Sequence, residues 1–137
     1  MFFRARRVLK APRITLSVPV YGTESFLPSF FDSVLEQTVF EQTVSAGAAT
    51  SAGAYADFPL EIIIVNDGSP SAAKLPKIMQ RYKKEFTKRG CSLITEEHRK
   101  NRGLFEARRT CVLSASAPYT LFADPDDTLT PCALEKL

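Results

Sequence analysis

Soft metal ligands are nearly missing from this chain. It has one histidine, His98, and three cysteines, Cys91, Cys111 and Cys132, in 137 residues, and neither type recurs at the spacing of a zinc or iron–sulfur site. The odd cysteine count argues against a disulfide framework and fits buried thiols in a reducing compartment. His98 has no ligand partner at useful spacing and reads as a solvated loop residue. Long apolar runs are also missing: no stretch approaches the roughly 20 residues of a membrane span, and nothing near the start has the length of a signal-peptide core. A soluble, cytoplasmic protein is expected. Residues 1–13 form a basic leader carrying Phe2, Phe3, Arg4, Arg6, Arg7, Lys10 and Arg13, either frayed or in peripheral contact with an anionic membrane surface. The net charge is only +3, and with much of the excess in the leader the body carries no basic footprint for nucleic acid.

An apolar fraction of 45% supports a packed core, and 137 residues suit one modest domain. Ile14 to Val20 is a β-rich run. Behind it Phe26, Leu27, Phe30, Phe31, Val34 and Leu35 recur at helical spacing, with Thr23 as the expected cap and Pro28 in the tolerant first turn. Residues 60–65 are apolar at almost every position, as in a strand covered on both faces. Leu75, Ile78, Met79, Tyr82 and Phe86 mark a second helix closing at Gly90. A third strand is expected over 91–95, a third helix over 104–114 and a fourth strand over 119–123. This alternation predicts an α/β fold, a mainly parallel sheet with helices on both faces. Residues 44–57, rich in Ala, Gly, Ser and Thr, read as a flexible insertion.

Two strands end in carboxylates. Residues 121–127, Leu-Phe-Ala-Asp-Pro-Asp-Asp, place three acids within four positions, and residues 60–69 end in Asn66-Asp67-Gly68-Ser69. Parallel strands would bring both to the carboxyl edge of the sheet, where open α/β sheets bind ligands. Three neighbouring acids repel one another unless a cation is present, and their oxygens suit magnesium or manganese. Asp126 is the first choice as metal ligand, with Asp124 reaching the metal or a ribose and Asp127 assisting or capping the next turn. Gly68 permits a tight turn through which backbone can approach a ligand.

Five ordered segments carry a resemblance. Ser17-Val18-Pro19-Val20-Tyr21, then Asp32-Ser33-Val34-Leu35-Glu36-Gln37-Thr38, then residues 61–69, then Asn101-Arg102-Gly103 with Ala107-Arg108, and last Asp124-Pro125-Asp126-Asp127 resemble the successive motifs of family 2 glycosyltransferases with the GT-A fold. The resemblance covers residues 14–137 apart from the insertion. It implies a Rossmann-like nucleotide-binding half that takes a nucleotide-sugar, most simply a UDP-sugar, with Mn2+ or Mg2+, for inverting transfer to an acceptor hydroxyl. It further implies that Val20, Tyr21, Glu24, Asp67, Gly103, Arg108 and Asp124 surround the nucleotide, with Asp67 accepting a hydrogen bond from the base, Tyr21 stacking near it and Arg108 bordering it.

The pattern is not followed throughout. Gly22 replaces the family's usual Asn after the tyrosine, and Arg109 replaces the usual Asn after Ala-Arg, so the donor's identity stays open. No catalytic residue is assigned: the family's base comes from a later segment, expected beyond Leu137, as are the elements that bind the acceptor glycan or lipid. The chain is therefore expected to bind a donor without transferring it, and to expose a sheet flank that favours a homodimer. Two other readings use the same residues. Asp124 and Asp126 also fit the Asp-x-Asp-x-Thr signature of haloacid-dehalogenase-like phosphatases, as nucleophile and acid/base. The chain could also be a non-catalytic nucleotide-sugar-binding module.

Overall fold

The computed structural model describes residues 11–41 and 58–137. The first ten residues of the leader and the insertion at 44–57 lie outside the described residues. Four strands, β1 (Ile14–Val20), β2 (Leu60–Asn66), β3 (Ser92–Glu97) and β4 (Tyr119–Phe122), form one sheet in the order β3-β2-β1-β4. Every pairing is parallel. Three helices connect them: α1 (Leu27–Leu35), α2 (Leu75–Lys88) and α3 (Leu104–Ser114). This is the expected doubly covered α/β architecture.

All seven residues of β1 and of β2 are buried, which explains why their sequences lack a polar face. The period of two divides them between the layers. Leu16, Val18, Val20, Ile62 and Ile64 join the larger core with Phe30, Phe31 and Val34 of α1 and Tyr82 and Phe86 of α2. Ile63 and Val65 face the other way and pack with Ala107 and Cys111 of α3. The aromatic rings interlock, with Phe31 centred 4.9 Å from Tyr82 and 5.6 Å from Phe86, the spacing at which tilted and edge-on pairs attract. Tyr82 donates its hydroxyl to Asp32 Oδ1 at 2.8 Å.

At the amino end of the sheet, the buried Glu61 accepts from Thr15 Oγ1 (2.5 Å), Ser116 N (2.9 Å) and Ser116 Oγ (2.7 Å). Burial alone would raise its pKa, but these donors outweigh burial and hold it below the ordinary value. Cys91 and Cys111 are buried and Cys132 is half-buried, all three as free thiols. The expectation of buried thiols thus holds for the first two.

Local details depart from the sequence-based expectation. Thr23 precedes a short 3-10 turn (Glu24–Phe26) and makes no side-chain cap bond, and its hydroxyl finds no partner among the described residues. The chain enters α1 through that turn, with Pro28 in the first turn as anticipated. Strand β3 runs through Glu96 and Glu97 because its backbone pairs with β2 as far as Asn66. Hydrogen-bonding register, not side-chain polarity, sets its length. Among the described residues no helix is long and apolar enough to cross a membrane.

Candidate functional site at the carboxyl edge of the sheet

Strands β1, β2 and β4 end side by side, and the segments that follow them carry most of the expected site residues. Val20 is buried, and its carbonyl accepts the Asp67 amide at 2.9 Å. Tyr21 emerges next, 53% exposed, a flat apolar surface at the rim. At Gly22 (φ +70°) the chain turns back and its N–H reaches Ser69 Oγ at 2.8 Å. The Ser69 N–H in turn reaches Asn66 Oδ1 at 3.0 Å. The turns after β1 and β2 are thus tied to each other.

Glu24 lies beneath this edge, fully buried. Burial by itself would raise its pKa, but the hydroxyls of Ser69 and Ser71 outweigh that and hold it low, helped by its own backbone and by Lys74. Ser71 Oγ donates to Glu24 Oε2. The carboxylate is set where it braces the Ser69–Ser71 turn from below.

Asp67 is only 3% exposed. Its Oδ1 accepts from the Arg102 amide at 2.9 Å and lies 2.6 Å from His98 Nδ1, while Oδ2 accepts from the Gly103 amide at 2.9 Å. Burial would raise its pKa. The His98 bond and the two amide donors outweigh burial and hold it below the usual carboxylate value. Asp67 therefore fastens the turn that leads into α3. Gly103, at φ +91°, opens that helix. Gly68 has φ +65°, and a Cβ there would sit 2.3 Å from the Lys100 carbonyl carbon and 2.4 Å from the Asn101 nitrogen. The backbone that Gly68 admits belongs to the chain's own 100–103 turn.

His98 corrects the expectation of a solvated loop residue. It is 8% exposed, and its second ring nitrogen, Nε2, lies 2.8 Å from Thr110 Oγ1. Its backbone N–H extends the β2–β3 ladder by donating to Asn66 O at 2.8 Å. A charged flanking sequence hides this, because the partners come from 12 and 31 residues away.

Asp124, Asp126 and Asp127 are exposed on the turn after β4, while Pro125 is buried and roots the turn. The Asp127 amide closes it onto Asp124 O at 3.1 Å. Arg108 of α3 reaches across, with Nη2 3.8 Å from Asp124 Oδ1 and its guanidinium 5.5 Å from the Phe122 ring centre. The half-exposed pair is a weak bond of ~1 kcal/mol or less. Among the described residues no group of three or more His, Cys, Asp and Glu side chains could hold a metal ion. Exposed carboxylates on one turn nonetheless fit a hard cation of the kind held by one or two acids and completed by phosphate oxygens.

What fixes the segment after the acidic turn went unseen in the sequence. Ser33 and Gln37 of the α1 segment are buried. Ser33 Oγ accepts the Leu129 amide at 3.0 Å. Gln37 Nε2 donates to Thr130 O at 2.7 Å and to Ser33 O at 3.1 Å, while its Oε1 accepts the Leu134 amide at 2.9 Å. Both residues lie in the second of the five motif segments, where the local signal was two polar residues four apart beside an apolar helix stripe.

Comparison with known proteins gives the family and the fold. Residues 15–137 match the family described as Glycosyl transferase family 2. The chain is similar to the uncharacterized glycosyltransferase EpsJ of Bacillus subtilis (strain 168), 29% identical over 126 residues, covering 92% of this chain and 29% of EpsJ. Its fold is similar to S. aureus TarS 1–349 solved with UDP (TM-score 0.66, 20% identity, 90% of this chain and 30% of that one). It is also similar to the mannosyltransferase PcManGT of Pyrobaculum calidifontis solved with GDP-Man and Mn2+ (TM-score 0.61, 20% identity, 87% and 29%). The chain thus spans less than a third of the length of each.

Proposed function

Because this chain belongs to glycosyl transferase family 2, we propose that its carboxyl edge binds the nucleotide of a sugar donor, most simply a UDP-sugar, and presents the sugar for transfer with inversion to an acceptor hydroxyl. The observation that carries the reading is the convergence of an exposed aromatic ring (Tyr21), the turn held by Asp67 and the three-carboxylate turn on one edge.

Each part has a chemical task in this reading. Tyr21 offers its ring face to the base. Asp67 recognises the base with Oδ2, which accepts from the Gly103 amide and has a lone pair for a second donor, and it shapes the Arg102–Gly103 turn beside it. Val20 sets the floor of the base site, and Glu24 holds the Ser69–Ser71 turn from below. Arg108 borders the phosphates and keeps Asp124 oriented toward the metal or the ribose. Asp126, with Asp124, would hold Mn2+ or Mg2+, which when bound supplies the charge neutralisation that a departing diphosphate requires. The family match and the GDP-Man and Mn2+ in a structure of similar fold favour this reading over a phosphatase that uses Asp124 as nucleophile.

Calorimetric titration with UDP, with and without Mn2+, is the test. Binding should depend on the metal in the native chain, and Asp126→Asn should remove that dependence while leaving the fold intact. Equal affinity with and without Mn2+ would refute the metal assignment. Tighter binding of GDP than of UDP would refute the choice of base.

A further inference from the structure

His98 is 8% exposed, and both its ring nitrogens and its backbone N–H are hydrogen-bonded beside the edge where the donor is placed. The chemistry of its neighbours fixes the ring. Asp67 is held in its ionised form, and a carboxylate can only accept, so the nitrogen 2.6 Å away, Nδ1, carries the proton. Nε2 meets the Thr110 hydroxyl, which can donate or accept, at 2.8 Å. A ring with its proton on Nδ1 satisfies both contacts.

The consequence runs through Asp67. A carboxylate with one amide donor on each oxygen, Arg102 N on Oδ1 and Gly103 N on Oδ2, keeps some play about its last torsion, whose well is broad. A third donor arriving from the end of β3 removes that freedom. Thr110, two turns along α3, prevents the ring from swinging away. The end of β2, the end of β3 and the start of α3 are thereby locked around one carboxylate, and the 100–103 turn takes its shape from the lock.

Resting on the donor-binding reading above, we propose that His98 is a positioning residue for the donor: it orients Asp67 by a hydrogen bond from Nδ1 and so presets the Arg102–Gly103 turn that faces the nucleotide.

Three measurements test this. The 15N shifts of the imidazole in the native chain should report a proton on Nδ1; a ring protonated on Nε2 alone overturns the proposal without any variant. Amide hydrogen exchange at Arg102 and Gly103, measured with no ligand, should rise about tenfold or more in His98→Ala, the scale of one charge-assisted bond. UDP affinity should fall in parallel. His98→Asn places an amide N–H near the position of Nδ1 and should recover both readouts in large part, whereas His98→Gln, which extends toward Thr110, should not. Should His98→Ala not fold, Thr110→Val frees the ring's far side and should raise the same two exchange rates by a smaller factor. Unchanged exchange in the variants overturns the proposal, as does an equal loss of affinity and melting temperature in Ala, Asn and Gln, which would mark a merely structural histidine. Absence of UDP binding by the native chain would count against the donor reading, while the exchange rates would still decide the role of His98.

Discussion

Gly68→Ala isolates the closest backbone approach in the site. A methyl group there would meet the Lys100 carbonyl carbon at 2.3 Å, the Asn101 nitrogen at 2.4 Å and the Lys100 Cα at 2.7 Å, at a residue whose φ is +65°. All three atoms are main chain, so no side chain can swing aside. The left-handed backbone costs an L-residue about 1–2 kcal/mol, and forced overpacking adds about 1–3 kcal/mol. The escape route, lifting the 100–103 turn, gives up the Arg102 and Gly103 amide bonds to Asp67, each worth about 1.5–3 kcal/mol, and so offers little relief. A loss of about 3 kcal/mol is expected, which for a chain of this size is about 10 °C in Tm. Gly22→Ala is the control, because Gly22 has φ +70° but nothing within 4 Å of the added carbon. It should lose only the conformational part, roughly half as much. Paired calorimetric melts decide the matter: if the two variants melt within 2 °C (~0.5 kcal/mol) of each other, the packing of the 100–103 turn on Gly68 is not what the distances imply.

Other outcomes follow from the buried polar groups. Gln37→Ala strands two carbonyls and the Leu134 amide and should cost about 2–4 kcal/mol in urea unfolding; Gln37→Glu should be no better, because it turns an acceptor toward those carbonyls, and a near-neutral result for either would discredit the anchor. Acid should destabilise the fold in a defined window. Asp67, Glu61 and Glu24 all have folded pKa values below their ordinary ones, so their contribution is complete above the unfolded carboxylate range near ~4 and is lost as pH falls through the folded values. Alkali acts with the opposite sign on the thiols: burial raises Cys91 and Cys111 to about 11, so the unfolded chain ionises first and stability falls from about pH 8.5 upward. Urea midpoints measured from pH 3 to 11 should form a plateau between these limits, and a midpoint still rising above pH 9 would contradict the thiol assignment.

The frame of the fold was legible because it rests on local pattern. The apolar runs of β1 and β2 admit only strands covered on both faces, and the stripe from Leu75 to Phe86 admits only a helix with one buried side. The edge of the sheet followed from their order. Roles within the site were less legible, since a carboxylate at a strand end looks the same in sequence whether it meets a ligand or its own chain. Asp67 finds its donors 31, 35 and 36 residues away, and Gln37 reaches Thr130 across 93. No window of sequence contains such pairs. His98 was misread for the same reason: Glu96, Glu97, Arg99 and Lys100 make its surroundings look solvated, while the ladder bond to Asn66 O draws it inside.

Gln37 and Asp67 anchor two different turns, and each anchor draws on separate parts of the chain. Of the bonds described above, the side-chain contact that crosses between α3 and the acidic turn is Arg108 to Asp124, long and half exposed. The two anchors are therefore modular. Changes at one anchor should leave the other nearly untouched, because distant sites without shared partners act independently. On the donor-binding proposal, a fold built in this way would exchange one nucleotide for another by altering the turns around Asp67, with the acidic turn after β4 carried over unchanged.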